Sequence, residues 1–235
     1  MDTGSYEARR GQLQTYFDRT AVDAWKRLTS DAPVSGVRAT VRAGRDQMRN
    51  TLLGWLPADL HGWRLLDAGC GTGALSCEVA LRGADVVGVD ISEQLVAIAG
   101  ERAAEPLAAC RGTARFLVGD MLDPALGRFD AVVAMDSLIH YSLADVLAVL
   151  GGIAQRTESR IVFTFAPRTA ALSVMHRVGK LFPRSDRSPA IVPLRPDLLV
   201  DAINGSLALR DWQVGRTERV QRGFYTSQAM ELVRR

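Results

Sequence analysis

Short continuous apolar runs alternate with amphipathic stretches along most of this chain. Asp85-Val-Val-Gly-Val and Ala131-Val-Val-Ala are bounded by turn residues, the pattern of strands covered by helices on both faces. Runs of this kind predict strands at about 64–68, 85–89, 114–118, 129–134 and 160–165, with helices at about 74–82, 92–108 and 143–157 between them. Such alternation implies a doubly wound, mostly parallel sheet. Ahead of it, Met48 to Leu56 has helical spacing, broken by Pro57-Ala-Asp-Leu-His-Gly62. After Phe165 the rhythm changes. Pro183, Pro189, Pro193 and Pro196 punctuate a stretch with one short helix, Thr169 to Phe182, on which Leu172, Met175, Val178 and Leu181 share a face. Two last strands, at about 207–215 and 223–233, predict an antiparallel hairpin. Residues 1–235 read as one domain, with an N-terminal helical arm over residues 1–60 and an insertion over 168–196. The first dozen residues are the part where order is not expected.

Composition narrows the class without changing that outline. With 47% hydrophobic and 23% charged residues, the chain can bury a full core without disulfides or metals. Cys70, Cys77 and Cys110 are odd in number and lack paired C-x-x-C spacing, so they read as free thiols of a reducing cytoplasm. No leader-like apolar segment and no run of about 18 apolar residues occurs, so the expectation is a cytoplasmic chain, neither exported nor membrane-spanning. The net charge of +3 is mild and the arginines are dispersed, which gives no sign of a nucleic-acid partner. Basic residues do exceed acidic ones from Arg168 to Arg195, a bias suited to an anionic, partly apolar ligand or an anionic membrane surface.

The candidate chemistry gathers at successive strand ends. Leu65-Leu-Asp-Ala-Gly-Cys-Gly-Thr-Gly73 is a strand entering a glycine loop and then a helix, so Gly69, Cys70 and Gly71 would pass close beneath a ligand, with Asp67 ordering the loop or meeting an ammonium group. Asp90, twenty-one residues after Gly69 and followed by Ile91, is spaced to take both hydroxyls of a ribose. Asp120 could accept from an adenine amino group while Met121 packs on the ring, and Met135 closes the fourth strand. Taken singly, Asp67 could be a loop cap, Asp120 a helix N-cap, and the methionines core filler. Four such positions in order favour an S-adenosylmethionine (SAM) site over a nicotinamide site. A parallel sheet ending in a hairpin points the same way, to a Rossmann-like class I SAM-dependent methyltransferase fold.

Past the fourth strand, Ile139-His-Tyr141 brings a histidine towards the mouth where the methyl group of SAM would sit. Tyr16-Phe17 to Trp25 could fold over the cofactor as an arm, or simply dock as a helix. Tyr16-Phe17, Thr20, Trp25, Leu138-Ile-His-Tyr141, Phe163-Thr-Phe-Ala-Pro167 and Leu181-Phe-Pro183, with the glycine loop, resemble the magnesium protoporphyrin IX methyltransferase family of chlorophyll and bacteriochlorophyll synthesis. The resemblance implies methyl transfer from SAM to one propionate carboxylate of a magnesium porphyrin, giving a monomethyl ester. It also implies that His140 and an arm tyrosine matter for activity. Relatives carry Ile-Tyr-Gly where Leu28-Thr-Ser30 stands here, so Tyr16 is the tyrosine chosen.

Further expectations rest on that resemblance. Tyr141, Arg177 and Arg184 would bind the porphyrin, the last two meeting its propionates from a lid over the macrocycle. Peripheral contact with photosynthetic membranes and contact with magnesium chelatase would follow; no metal site of the chain's own is expected. A propionate is ionised at neutral pH, so alignment does most of the work, and His140 holds the carboxylate or approaches the magnesium. The competing readings are a methyltransferase for a quinone-type hydroxyl, with His140 as base, and a non-catalytic module that binds SAM and porphyrin.

Overall fold

The structure, a computed structural model, describes residues 3–18, 36–168 and 190–235. Among these residues seven strands form one sheet: β1 (Arg64–Ala68), β2 (Asp85–Asp90), β3 (Thr113–Val118), β4 (Phe129–Ala134), β5 (Thr157–Phe165), β6 (Trp212–Arg222) and β7 (Tyr225–Arg234). Their order is β3-β2-β1-β4-β5-β7-β6, with the first five parallel and β7 antiparallel to both neighbours. This is the mostly parallel sheet closed by a hairpin that the sequence predicts.

Helices cover both faces: α1 (Thr3–Tyr16), α2 (Gly36–Gly54), α3 (Ala74–Leu81), α4 (Glu93–Leu107), α5 (Leu143–Ala154) and α6 (Pro196–Asn204). Side chains alternate across each strand, so neighbours in sequence enter different cores. Leu66, Val132, Phe163 and Phe165 pack with Val146, Leu150 and Ile153 of α5 and with Leu199 of α6. Leu65, Val133 and Val162 face the opposite way, against Met48 and Leu52 of α2 and Val79 of α3. The continuous apolar runs of β1, β2 and β4 thus reflect burial on two sides.

Three elements differ from the sequence reading. The first dozen residues, where order is not expected, lie largely within α1, whose Leu13 is buried. Its docking relies partly on hydrogen bonds, described below, which leave no trace in apolar periodicity. The strand expected at 207–215 begins at Trp212, after α6 and a 3-10 turn over Leu207–Leu209. Pro196 suits the first turn of α6, where its missing N–H costs nothing, and Leu199 and Ile203 bury one turn apart. The edge strand β6 is largely exposed, so polar residues fill it and no apolar run marks it. The helix expected over Thr169 to Phe182, with Arg177 and Arg184, lies outside the described residues.

Gly44 sits buried where α2 crosses β7. A Cβ there would come 2.5 Å from Cδ1 of Tyr225, with two further Tyr225 carbons at 2.8 Å. Alanine would gain up to about 1 kcal/mol of helix propensity, and overpacking costs about 1–3 kcal/mol. The overlap involves the root of a buried ring, so the second effect should win. Gly44→Ala is expected to destabilise the protein by about 1–2 kcal/mol in denaturant unfolding; a stabilised variant would contradict this packing.

Candidate active site

At the carboxyl ends of β1, β2 and β4 the chain surrounds a cavity of about 260 Å³. The glycine loop forms its floor. Gly69 and Gly71 have φ values of +85° and +53°, in the left-handed region that favours glycine. A Cβ on Gly69 would lie 2.4 Å from Cβ of Ser137, so the residue type is set by space as well as conformation. The N–H groups of Gly69 and Cys70 both donate to the carbonyl of Val89, which ties the loop to the end of β2.

Two acids sit beneath this loop. Asp67 is 2% exposed and accepts a 2.6 Å hydrogen bond from the Ser76 hydroxyl. Burial pushes its carboxyl up to about 7; the Ser76 hydroxyl pulls the other way, and the nearby charge of Asp90 adds to the rise. Asp90 accepts from the N–H of Gly71 at 2.9 Å and from that of Ser92 at 3.0 Å, one bond to each oxygen. Burial raises its carboxyl too, against the pull of those N–H groups. Asp90 therefore holds the glycine loop in shape, a role that spacing alone does not reveal.

The opposite wall comes from α2 and the turn after β4. Arg42, Arg45, Asp46 and Arg49 line the cavity beside Asp136, Ser137, His140 and Tyr141. Asp136 has φ +55°, unusual for a non-glycine residue, and four side chains hold it. Arg45 donates to its carboxylate at 2.6 Å, Tyr225 at 3.1 Å, and Ser227 and Thr164 each at 3.2 Å. Its own N–H donates to the Thr164 hydroxyl at 2.7 Å. Burial, with the charge of Asp136 beside it, keeps the Tyr225 phenol firmly protonated.

His140 is buried, and its Nδ1 lies 3.3 Å from the carbonyl of Ala190. A carbonyl only accepts, so Nδ1 is the donor and the chemistry of the ring turns on Nε2. Residues 190–194 are themselves anchored, through Val192 N–H to the Ile139 carbonyl at 2.8 Å and Leu194 N–H to the Ala166 carbonyl at 2.9 Å.

The roof is α1. Tyr6 stacks on Tyr141 with ring centroids 5.2 Å apart, and Phe17 meets the edge of His140 at 6.4 Å. The Tyr6 hydroxyl donates to Asp120 at 2.8 Å, and Arg10 forms an ion pair with the same carboxylate. At the far end of the helix, Ser92 donates to Asp18 at 2.6 Å.

Of the residues singled out in the sequence, Asp67, Gly69, Cys70, Gly71, Asp90, Ile91, Met121, Met135, His140 and Tyr141 all line this one cavity. Asp120 lies beside it, with its carboxylate engaged by Tyr6 and Arg10. Tyr16 is not in the lining; it packs edge-on to Phe17 at 5.3 Å. Sequence reasoning missed Tyr6, Leu13 and the arginines of α2. The recurrence of Arg42, Arg45 and Arg49 at helical spacing beside the Met48–Leu52 stripe was the available signal. Among the described residues no three His, Cys, Asp or Glu side chains form a metal-binding group.

Comparison with known proteins brings in two family models. Residues 134–234 match the model described as the magnesium-protoporphyrin IX methyltransferase C-terminus, and residues 65–159 match a methyltransferase domain. A magnesium-protoporphyrin O-methyltransferase of Rhodobacter capsulatus is 52% identical over 96% of this chain and 97% of its own length. Magnesium protoporphyrin IX methyltransferase (ChlM) from Synechocystis PCC 6803, solved with bound SAH, superposes with a TM-score of 0.84 at 31% identity, covering 97% of this chain and 100% of that one. The same enzyme solved with bound SAM gives a TM-score of 0.80 at 28% identity, covering 97% of each chain.

The raised carboxyl of Asp67 should be visible in stability. An aspartate in the unfolded chain titrates near roughly 3.9, so the folded state holds this proton more tightly. The resulting stabilisation is complete below about pH 4 and is lost as pH rises through about 7. Asp67→Asn is expected to flatten that decline in thermal unfolding of the ligand-free protein; a decline of undiminished size in the variant would contradict the assignment.

Proposed function

This chain belongs to the magnesium-protoporphyrin IX methyltransferase family, and from that premise we propose that it transfers the methyl group of SAM to one propionate carboxylate of magnesium protoporphyrin IX, releasing the monomethyl ester. The observation that carries this reading is that a single cavity joins the glycine loop and its acids to the turn bearing His140. Fit to SAM is supported by the chain's own groups. The left-handed glycines leave room for close backbone approach, and Asp67, desolvated and poorly compensated, would be relieved by an ammonium group. Asp90 keeps acceptor capacity on both oxygens for ribose hydroxyls while holding the loop, and Ile91, Met121 and Met135 offer apolar surface for the base. Asp120 could reach an adenine amino group only by sharing its carboxylate with Tyr6 and Arg10.

When bound, SAM supplies an electrophilic methyl: a carboxylate lone pair forms the O–C bond, the S–C bonding pair stays on sulfur, and no proton changes hands. The protein's task is to align the carboxylate and exclude water. His140 in its charged form would donate Nδ1–H to Ala190 and Nε2–H to one propionate oxygen, leaving the other oxygen to attack. Tyr141, stacked on Tyr6, would support the macrocycle, and the arm over residues 1–60 would cover it together with the insertion over 168–196, which carries Arg177 and Arg184. Of the arm tyrosines, Tyr6 has the better claim than Tyr16, since it lines the cavity. No described helix is long and apolar enough to cross a membrane. The reading also includes peripheral contact with photosynthetic membranes and contact with magnesium chelatase.

Incubating the protein with SAM and magnesium protoporphyrin IX should yield S-adenosylhomocysteine and the monomethyl ester in equal amounts, followed by chromatography and mass spectrometry. Absence of ester under conditions where SAM binds would refute the proposal. For His140 the sign of the pH dependence is diagnostic. If the charged ring holds the carboxylate, the single-turnover rate falls as pH rises through the histidine range, near roughly 6.5, whereas a base mechanism makes it rise. His140→Ala should lower the rate roughly ten- to hundredfold, the worth of one charge-assisted hydrogen bond, with SAM affinity near wild type. His140→Gln should recover part of that loss, because it retains a donor; glutamine and alanine variants of equal inactivity, with a rate that rises with pH, would refute the positioning role.

A further inference from the structure

The arginine face of α2 forms a wall of the cavity that methyl transfer as described above does not use. Arg42, Arg45 and Arg49 recur at helical spacing and all line the cavity, while Gly44, Met48 and Leu52 of the same helix are buried against the sheet. The three cations are therefore carried on a fixed support. Arg45 is committed to Asp136 at 2.6 Å. Arg49 has a different setting: its Nη2 meets the half-exposed Asp46 at 2.9 Å, but its Nε is buried with no hydrogen-bond partner among the described residues. The Oγ of Ser137, in the same wall, is likewise buried and without a hydrogen-bond partner among the described residues. Two buried donors in one wall, with Arg42 close in sequence, suit a ligand group that only accepts.

Charge sorts the cavity in the same sense. Asp67 and Asp90 lie at the glycine-loop end and suit the cationic donor; at the α2 end Arg42, Arg45 and Arg49 outnumber Asp46 and Asp136, and the remaining excess of positive charge suits an anion. A porphyrin with two propionates brings two anionic groups, and the one to be methylated must keep an oxygen available for the methyl carbon. A guanidinium fork engages both oxygens of a carboxylate, which would occupy the attacking atom. His140 offers one N–H and leaves an oxygen unengaged.

We propose that Arg49, with Arg42 beside it, binds the propionate that is not methylated, and that this contact limits the reaction to a single ester. The inference rests on the function proposed above. To be methylated again, the monoester would have to turn round, bringing its remaining carboxylate to His140 and its neutral ester to Arg49. The ester carries no charge and cannot take the fork as a carboxylate does, so the turned orientation loses charge-assisted bonds and is disfavoured roughly ten- to hundredfold.

The test compares magnesium protoporphyrin IX with its monomethyl ester as substrates of the full chain, measuring kcat/KM for each and the ratio of diester to monoester over time. Wild type should prefer the dicarboxylic acid and stop at the monoester. Arg49→Gln and the Arg42→Gln/Arg49→Gln double variant should raise KM for the dicarboxylic acid roughly ten- to hundredfold and bring the substrate preference towards one, with diester accumulating. Arg49→Lys should retain part of the preference, since it keeps the charge without the fork. Calorimetric affinity for S-adenosylhomocysteine, unchanged in every variant, separates a lost substrate contact from a misfolded cavity. An unchanged preference in a double variant that binds S-adenosylhomocysteine normally would overturn the inference. A wild-type protein that makes no ester would instead remove the function on which it rests, and that result precedes any variant.

Discussion

The carboxylate of Asp136 is the knot on which the site depends. It joins Arg45 of α2 to Tyr225 and Ser227 of β7 and to Thr164 of β5, so one anion connects a helix with the two strands that complete the sheet. A non-glycine residue at positive φ costs about 1 kcal/mol or more, and persists when its surroundings over-determine it. Here hydrogen bonds from Arg45, Thr164, Tyr225 and Ser227 do so, together with the one from its own N–H to Thr164. The turn they fix sets Ser137 against the glycine loop and carries His140 into the cavity.

From that knot the division of the cavity follows. One end carries acids that burial holds in an unfavourable state, Asp67 most of all, and so attracts a cation. The other end carries arginines on a helix that cannot move without disturbing Tyr225, since Gly44 lies against that ring. On the function proposed above, a methyl donor bearing positive charge and an acceptor bearing negative charge would be received from opposite sides and would meet near His140. The arm closes this space through polar contacts, Tyr6 and Arg10 to Asp120 and Asp18 to Ser92, together with ring stacking. Contacts of this kind are individually modest and exchangeable, which would suit an element that, on the function proposed above, admits a large flat substrate.

Much of the parallel half of the fold was legible because burial on two faces writes itself into short apolar runs, and β1, β2 and β4 carry such runs. The loop from Gly69 to Gly73 and the acid at Asp90 were legible because close approach and fixed spacing demand particular residue types. The closing hairpin was legible too, but the bounds of β6 and the order of the first dozen residues were not: an exposed edge strand and a helix docked partly by hydrogen bonds bury too little apolar surface to impose a sharp pattern. Trp212 as the true start of β6 was hidden by Leu207 and Leu209, which look like strand residues although Leu207 is mostly exposed and belongs to a 3-10 turn.

The sequence by itself therefore determined the layer order of strands and helices, the glycine loop and the identity of the residues beneath it, because each depends on local spacing. Only the tertiary structure decided who faces whom. It brought Arg42, Arg45 and Arg49 into one cavity with His140, took Asp120 for Tyr6 and Arg10, placed Tyr6 and not Tyr16 in its lining, and drew Tyr225 from the far hairpin to Asp136. These pairs are separated by about ninety residues or more, or lie across a helix face whose rotation the sheet sets, and the cost of desolvating a charge selects its partner only once the chain has closed around it.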